Sequence, residues 1–243
     1  MTKEQVQWYK TWFDTPYYHI LYKDRDHREA KKFMIKLTNY LGLNDGDKIL
    51  DLACGRGRHS LFLGSLGYQV TGADLSKSSI AYASQFANKN VNFVVHDMCI
   101  PFPDKFSAVF NLFTSFGYFE NEEDNQRTLS AIKKNLNNKG MGVIDFMNAP
   151  KVISNLIPQE VKRVEHIEFH IKRYVQNGFI FKEIEFEDNN VAYSFIERVK
   201  IITLLDFKEY FKKCNIKLLQ LFGNYELESF DETFSTRLIL VFK

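Results

Sequence analysis

Short apolar segments alternate with amphipathic segments along most of this 243-residue chain. The apolar segments have the length of buried strands and lie at residues 48–52, 68–74, 91–95, 106–113, 142–146, 217–222 and 236–242. Several of the segments between them have the spacing or the caps of helices. Strands that alternate with helices in this way predict a parallel sheet covered on both faces. We therefore expect an α/β protein with a doubly wound sheet of seven mostly parallel strands.

The composition excludes several classes of protein. Hydrophobic residues make up 45% of the chain, charged residues make up 26%, and the formal net charge is +2. These values argue against a disordered chain and against a cationic nucleic-acid coat. No apolar run approaches the ~20 residues of a membrane helix, and the first residues lack the apolar core of a signal peptide. Scattered Cys54, Cys99 and Cys214 predict no disulfide framework and no metal site. We expect a cytoplasmic protein without a membrane or nucleic-acid partner.

Three regions follow from the order of the segments. Residues 1–45 read as a helical, aromatic-rich segment that we expect to act as a lid. Residues 46–150 and 203–243 form the predicted α/β core. Between them, residues 151–202 change to alternating strands with a hairpin signal at Asn177–Gly178. This region predicts a three-stranded antiparallel insert after the fifth strand, where it would cover the substrate side of the sheet.

A glycine-rich turn follows the first strand, in the stretch DLACGRGRHS at residues 51–60. Strand, turn and helix in this order are Rossmann-like, and Gly55 and Gly57 would let the backbone approach a ligand closely because they have no Cβ. The nicotinamide fingerprint has Gly or Ala at the sixth position of this motif, where this chain has Ser60. The turn therefore disfavours a nicotinamide oxidoreductase.

Acidic residues lie at or near the ends of the first three predicted strands. Asp51 precedes the glycines, Asp74 ends the second strand and Asp97 follows the third. The carboxyl ends of parallel strands meet at one edge of a sheet, beside its switch point. At this edge Asp74 is placed to accept hydrogen bonds from ribose hydroxyls, and Asp97 from an adenine amino group. We expect a ligand that contains adenosine.

The motif at residues 51–60, together with TSFGYF at residues 114–119, resembles the class I S-adenosylmethionine-dependent methyltransferases of the bacterial small-molecule type. The resemblance runs from residue 49 through the fifth strand and resumes at about residue 199. It implies a Rossmann-like core and S-adenosylmethionine as the cofactor. It further implies a cofactor-binding set at the strand ends, which comprises Asp51, Ala53, Gly55, Gly57, Asp74, Leu75, Asp97, Met98 and Asn111.

Because the methyl group of a sulfonium is already activated, the main task of the protein is to position donor and acceptor in line. We expect Asn111, near the end of the fourth strand, and Tyr118 to orient the acceptor. Phe116 is expected beside the sulfonium, where an aromatic ring attracts a cation. Tyr17 and Tyr18 are expected on the lid, against the substrate.

Several acceptors and one non-enzymatic role stay open at this point. The leading prediction is methyl transfer to nitrogen or oxygen of a small molecule. A protein or peptide amine is an alternative acceptor, and a protein that binds S-adenosylmethionine without catalysis is a third reading. A nucleic-acid methyltransferase is disfavoured by the net charge of +2 and because residues 111–119, NLFTSFGYF, contain no Asn-Pro-Pro-Tyr type motif.

Overall fold

The structure, a computed structural model, describes residues 8–23, 27–119 and 121–243. Residues 1–7 and 24–26 of the expected lid lie outside the described residues. The strands are β1 (Lys48–Leu52), β2 (Gln69–Asp74), β3 (Val91–Val95), β4 (Phe106–Asn111), β5 (Leu136–Met147), β6 (Gln159–Val164), β7 (Ile167–Gln176), β8 (Phe179–Asp188), β9 (Val191–Lys200), β10 (Leu218–Phe222) and β11 (Arg237–Phe242). The helices are α1 (Trp8–Trp12), α2 (Pro16–Leu21), α3 (His27–Tyr40), α4 (Arg58–Ser65), α5 (Lys77–Ser84), α6 (Glu122–Asn135), α7 (Ala149–Ser154) and α8 (Leu204–Lys213).

The central sheet has seven strands in the order β10-β11-β5-β4-β1-β2-β3. Strands β1 to β5 pair in parallel, whereas β11 runs antiparallel to both β5 and β10. Residues 49–52 of β1 are all buried, as expected for a strand with helices on both faces. The predicted doubly wound α/β class is confirmed.

Local capping explains where several helices begin and end. The Ser76 hydroxyl accepts a hydrogen bond from the amide of Ser79 and so caps α5. Thr203 and Asp206 form a reciprocal capping box at α8, and Asn215 adopts a left-handed φ of 52° just after that helix. Pro16 is the first residue of α2, because proline fits the first helical turn, and Thr15 caps it.

The insert contains four strands, not the predicted three. Strands β6, β7, β8 and β9 form a separate antiparallel sheet in chain order. The sequence signal missed β6 because the turn between Val164 and Ile167 contains no glycine, asparagine or proline. Glu165 adopts the left-handed conformation there, with a φ of 57°, which residue type alone does not reveal. The first part of the expected insert range is occupied by α7.

Three hydrophobic clusters hold these layers together. One cluster packs α6 and α8 on one face of the central sheet, and a second packs α3 and α4 on the other. The third cluster, which we call the cap cluster, joins α1 and α2 to the insert; its buried members are Trp8, Trp12, Leu21, Val164, Ile167, Phe169, Ile171, Ile184 and Phe186. In the described part of the chain, no helix has the length and apolar character to cross a membrane.

Candidate active site

A cavity of about 820 Å³ lies beyond the carboxyl ends of β1, β2 and β3. Its volume is in the range of small-molecule and cofactor sites. One side, which we call the sheet half, is lined by the glycine-rich turn and by the residues that follow β2 and β3. The other side, the aromatic half, is lined by Trp8, Phe13, Tyr18, Tyr22, Tyr118 and Glu197 among others. The insert and the lid helices therefore complete a cavity that the central sheet begins.

The two glycines of the turn serve different purposes. Gly55 lines the cavity with a φ of 55°, and a Cβ built there would meet no atom within 4 Å. It therefore leaves a cradle in the cavity wall that any larger residue would fill. Gly57 has a φ of 76°, but a Cβ there would lie 2.4 Å from the ring of Phe93. Gly57 was expected to approach the cofactor; it is not among the residues that line the cavity, and it allows α4 to begin against β3.

Asp74 occupies the centre of the sheet half. Its Oδ2 accepts a hydrogen bond of 2.8 Å from the amide of Gly55, and its Oδ1 accepts one of 2.8 Å from the amide of Ser76. Burial raises the pKa of this carboxyl group, against the lowering effect of those two amides. Each carboxylate oxygen keeps a further acceptor site for a ligand.

The adjoining wall of the sheet half is formed by residues that follow β2 and β3. Leu75 is 39% exposed and presents an apolar side chain to the cavity. Asp97 accepts a hydrogen bond of 2.9 Å from the amide of Cys99 and lines the cavity beside Met98. Ala53, with a φ of 61°, lines it from the glycine-rich turn. The structure thus brings the expected strand-end residues together around one space.

Asp51 is not among the residues that line the cavity. It is buried beneath the turn, where its Oδ2 accepts a 2.6 Å hydrogen bond from the Ser60 hydroxyl. Burial raises the pKa of Asp51 to about 6; the Ser60 hydrogen bond lowers it and the charge of Asp74 raises it further. Asp51 was expected to bind the cofactor; in this structure its side chain links β1 to the first turn of α4.

Asn111 is also buried behind the cavity wall rather than exposed in it. Its Nδ2 donates to the carbonyl oxygen of Leu52 at 3.3 Å and to the sulfur of Met98 at 3.8 Å. Its Oδ1 has no hydrogen-bond partner among the described residues. Asn111 was expected to touch cofactor and acceptor; in this structure it contacts the backbone of β1 and a side chain that lines the cavity.

The aromatic half is a continuous group of rings. The ring centroid of Trp8 lies 5.4 Å from Phe13 and 5.2 Å from Tyr118, and that of Phe13 lies 4.8 Å from Tyr18. Tyr18 is in turn 5.0 Å from Tyr22. The expected lid residue Tyr18 and the expected positioning residue Tyr118 both line the cavity.

Two aromatic residues expected at the substrate lie elsewhere. Phe116 is fully buried and packs 5.5 Å from Phe207 in the core beside α8. Its segment turns after β4, so that successive side chains face opposite directions. Tyr17 packs on the insert and donates a hydrogen bond of 2.9 Å to Asp188. Tyr17 therefore anchors α2 to the insert, outside the cavity lining.

A family match accords with this arrangement. Residues 49–140 match a family model described as a methyltransferase domain. This part of the chain is therefore similar to methyltransferase domains. This confirms the resemblance identified from the motifs at residues 51–60 and 114–119.

Individual proteins show how far the similarity extends. Over 114 residues the chain is 31% identical to YqeM of Bacillus subtilis (strain 168), which is named as a methyltransferase; the match covers 45% of this chain and 46% of YqeM. The match thus spans less than half the length of that relative. A crystal structure of an S-adenosylmethionine-dependent methyltransferase from Clostridium acetobutylicum has a TM-score of 0.78 at 19% identity, over 93% of this chain and 95% of that one. The sugar N-methyltransferase KedS8 from Streptoalloteichus sp. has a TM-score of 0.73 at 17% identity, over 92% of each chain. Both of these solved structures share their fold with this chain.

A buried ion pair positions the loop that carries Tyr118. Phe113 and Thr114 adopt left-handed φ values of 59° and 61°. Asp145 accepts a 2.8 Å hydrogen bond from the amide of Phe113 and pairs with Arg237 at 2.7 Å. Arg237 also donates to the Thr114 hydroxyl at 2.8 Å. The sequence does not reveal this network, because residues 113–114, Asp145 and Arg237 lie far apart in the chain.

The sequence analysis also missed Glu197 as a cavity residue. It lies on β9 of the insert, within a run of mixed charges that reads as a solvated strand. Trp8, Phe13 and Tyr22 belong to the aromatic lid segment that the sequence indicated, although no signal separated those that line the cavity from those that anchor the lid. Packing of α1 and α2 on the insert decides that difference.

Proposed function

We propose that this protein transfers the methyl group of S-adenosylmethionine to a nitrogen or oxygen atom of a small molecule. The observation that carries the proposal is a single cavity in which strand-end acids and a glycine cradle face a group of aromatic rings. The sheet half suits a nucleoside with an amino-acid tail, and the aromatic half suits an organic acceptor. Donor and acceptor would therefore meet in one enclosed space.

The sheet half provides groups that fit the cofactor. Asp74 has acceptor positions left for the two ribose hydroxyls, and Gly55 leaves space for the methionine part. Leu75 offers an apolar side chain for the face of the adenine, and Asp97 offers a carboxylate for its amino group. Asp51 and Asn111 would support the cofactor site from behind the cavity wall. Asp51 fixes the glycine-rich turn through its hydrogen bond with Ser60, and Asn111 fixes Met98 through its contact with the sulfur.

When bound, S-adenosylmethionine supplies an electrophilic methyl group whose carbon–sulfur bond breaks as the acceptor's lone pair forms the new bond. The protein has then to hold the acceptor in line and keep water away. Tyr118 and the neighbouring rings of the lid are placed for both tasks. The proton that the acceptor loses leaves to solvent.

The size of the cavity and the helices that border it support a small-molecule acceptor. Helices α1 and α2 cover the aromatic half, so a folded protein or duplex nucleic acid would have to displace them. The structural likeness to a sugar N-methyltransferase agrees with a small acceptor.

Calorimetric titration with S-adenosylmethionine and S-adenosylhomocysteine tests the proposal directly. We expect both to bind, and Asp74→Ala to weaken binding about 10- to 100-fold, because charge-assisted hydrogen bonds to the ribose are lost. Glu209→Ala, which removes a carboxylate from the exposed face of α8, is the matched control and should bind like the wild type. A folded wild type that binds neither compound would refute the proposal. Release of S-adenosylhomocysteine with a panel of small amines and alcohols separates an enzyme from a protein that only binds the cofactor.

A further inference from the structure

Glu197 places a carboxylate at the border of the aromatic half, and its position is fixed by hydrogen bonds. The Nε1 of Trp12 donates to its Oε1 at 2.7 Å. The hydroxyl of Tyr22 lies 2.7 Å from Oε1 and 2.8 Å from Oε2. The side chain keeps 17% exposure and borders the cavity. A carboxylate held in this way meets a ligand without further ordering cost.

Aromatic rings surround the same part of the cavity. Trp8, Phe13, Tyr18, Tyr22 and Tyr118 form the chain of ring contacts described above, and all of them line the cavity with Glu197. Ring faces carry partial negative charge and attract ammonium groups, which several rings together can enclose. Rings combined with one carboxylate favour a cation that also donates hydrogen bonds.

The protein already holds one ammonium group at this carboxylate. The Nζ of Lys182 lies 4.5 Å from the ring centre of Tyr22, donates to the Tyr22 hydroxyl, and is 3.8 Å from Oε2 of Glu197. Lys182 is not among the cavity-lining residues, so it approaches Tyr22 and Glu197 from the insert side. Lys23, a nearby lysine that does line the cavity, pairs with Glu165 at 3.2 Å.

We propose that the acceptor is a small molecule with a protonated amine, and that Glu197 and these five rings bind that amine. The inference rests on the proposed function and narrows the acceptor atom to nitrogen. The bound ammonium first gives one proton to the Glu197 carboxylate, and through it to solvent, so that the nitrogen lone pair can form the bond to the methyl carbon as the carbon–sulfur bond breaks. A neutral alcohol of the same shape would gain neither the cation–π attraction nor the charge-assisted hydrogen bond. Selection for the amine is thus made by residues of the insert, the lid and the loop after β4, which face the sheet half across the cavity.

This inference is tested by two titrations of the full chain after it has been loaded with S-adenosylhomocysteine. One titration adds benzylammonium and the other adds benzyl alcohol. Fluorescence is a local reporter, because the two tryptophans of the sequence are Trp8 and Trp12. We expect the ammonium to bind more tightly than the alcohol, by about tenfold or more. Glu197→Gln keeps an acceptor for Trp12 and Tyr22 but removes the charge. It should weaken ammonium binding about tenfold and leave the affinity for the alcohol and for S-adenosylhomocysteine unchanged.

Two further variants separate recognition from folding. Glu160→Gln removes a carboxylate of the same sheet that pairs with Arg173 and does not line the cavity, and it should behave like the wild type. Phe13→Leu removes one ring and should weaken the ammonium more than the alcohol. The inference is overturned if the wild type does not bind benzylammonium, or if it binds benzyl alcohol as tightly as benzylammonium. It is also overturned if Glu197→Gln binds benzylammonium with the affinity of the wild type. If S-adenosylhomocysteine fails to bind, that result counts against the proposed function instead. The titration with benzylammonium would in that case still measure binding to the rings.

Discussion

At the scale of single residues, the buried contact between Asp51 and Ser60 links the sequence motif to stability. A carboxyl group without a cation partner is buried only at a cost, and here a hydroxyl donor offsets part of it. Burial nevertheless leaves the pKa of Asp51 at about 6, above the value near 4 of an unfolded chain. The native state therefore keeps this proton to a higher pH than the unfolded state does.

This difference predicts how stability depends on pH. The contribution of Asp51 to the free energy of unfolding is most favourable below about pH 4 and falls by about 2–3 kcal/mol as pH rises through about 6. Asp51→Asn keeps an acceptor for Ser60 and removes the titration. We expect the variant to be more stable than the wild type at about pH 7.5 and similar to it at about pH 4, as measured by urea unfolding. Asp104→Asn, in an exposed loop, is the control; an equal pH dependence of Asp51→Asn and wild type would contradict the prediction.

Sequence could identify strand ends at this scale, but not side-chain direction. Ala53, Gly55, Asp74, Leu75, Asp97, Met98, Tyr18 and Tyr118 line the cavity as residues of the expected set. Asp51 lies within β1, where successive side chains alternate between the two faces of the sheet, so it points beneath α4 rather than beyond the edge. Phe116 and Tyr17 are aromatic residues whose ring positions depend on packing partners more than 90 residues away in the chain.

At the scale of elements, the turn between β1 and α4 separates binding from folding. Gly55 and Gly57 are both left-handed, yet a side chain at the first would enter open space and one at the second would strike Phe93. The same motif therefore contains one position that shapes the cavity and one that allows α4 to pack.

Alanine at each glycine should separate these two effects. We expect Gly57→Ala to cost about 2–4 kcal/mol of stability, because strain at positive φ adds to the clash. Gly55→Ala should cost about 1 kcal/mol, from φ alone, and should weaken S-adenosylhomocysteine binding because its methyl group fills the cradle. Urea unfolding and calorimetry on both variants measure the two quantities. Equal loss of stability in the two variants would contradict this distinction.

The alternation of strands and helices was sufficient to predict the central sheet, including the two strands that follow the insert. It was insufficient for β6, whose turn at Glu165 carries no residue typical of turns. It also read the lid as helical with a break near Pro16, while the structure has separate α1, α2 and α3 in the described residues. Short helices of five or six residues are stabilised by packing on the insert rather than by their own sequence.

At the scale of the whole molecule, the lid helices connect the insert to the core. On the core side, Asp14 accepts hydrogen bonds from the hydroxyls of Ser76 and Ser78 at the start of α5. On the insert side, Tyr17 bonds to Asp188 and Trp12 bonds to Glu197. Both halves of the cavity therefore depend on where the segment from α1 to α2 lies.

Release of the core-side contact should loosen the lid over the cofactor. We expect Asp14→Ala to weaken S-adenosylhomocysteine binding about three- to tenfold and to speed amide hydrogen exchange in α1 and α2. Asp188→Ala removes the contact on the insert side, away from the cavity, and should speed exchange in α2 with little effect on affinity. Calorimetry and hydrogen exchange on both variants check this. An Asp14→Ala protein with wild-type affinity and exchange would show that the contact does not hold the lid.

The cap cluster shares none of its buried members with the two clusters that flank the central sheet. For protein engineering, this makes residues 8–23 and 159–200 an exchangeable unit on a constant donor-binding scaffold. The two segments must be transplanted together, because each buries the apolar face of the other. A chimera that receives both segments from a related protein would acquire a new acceptor range without a redesign of the sheet beneath.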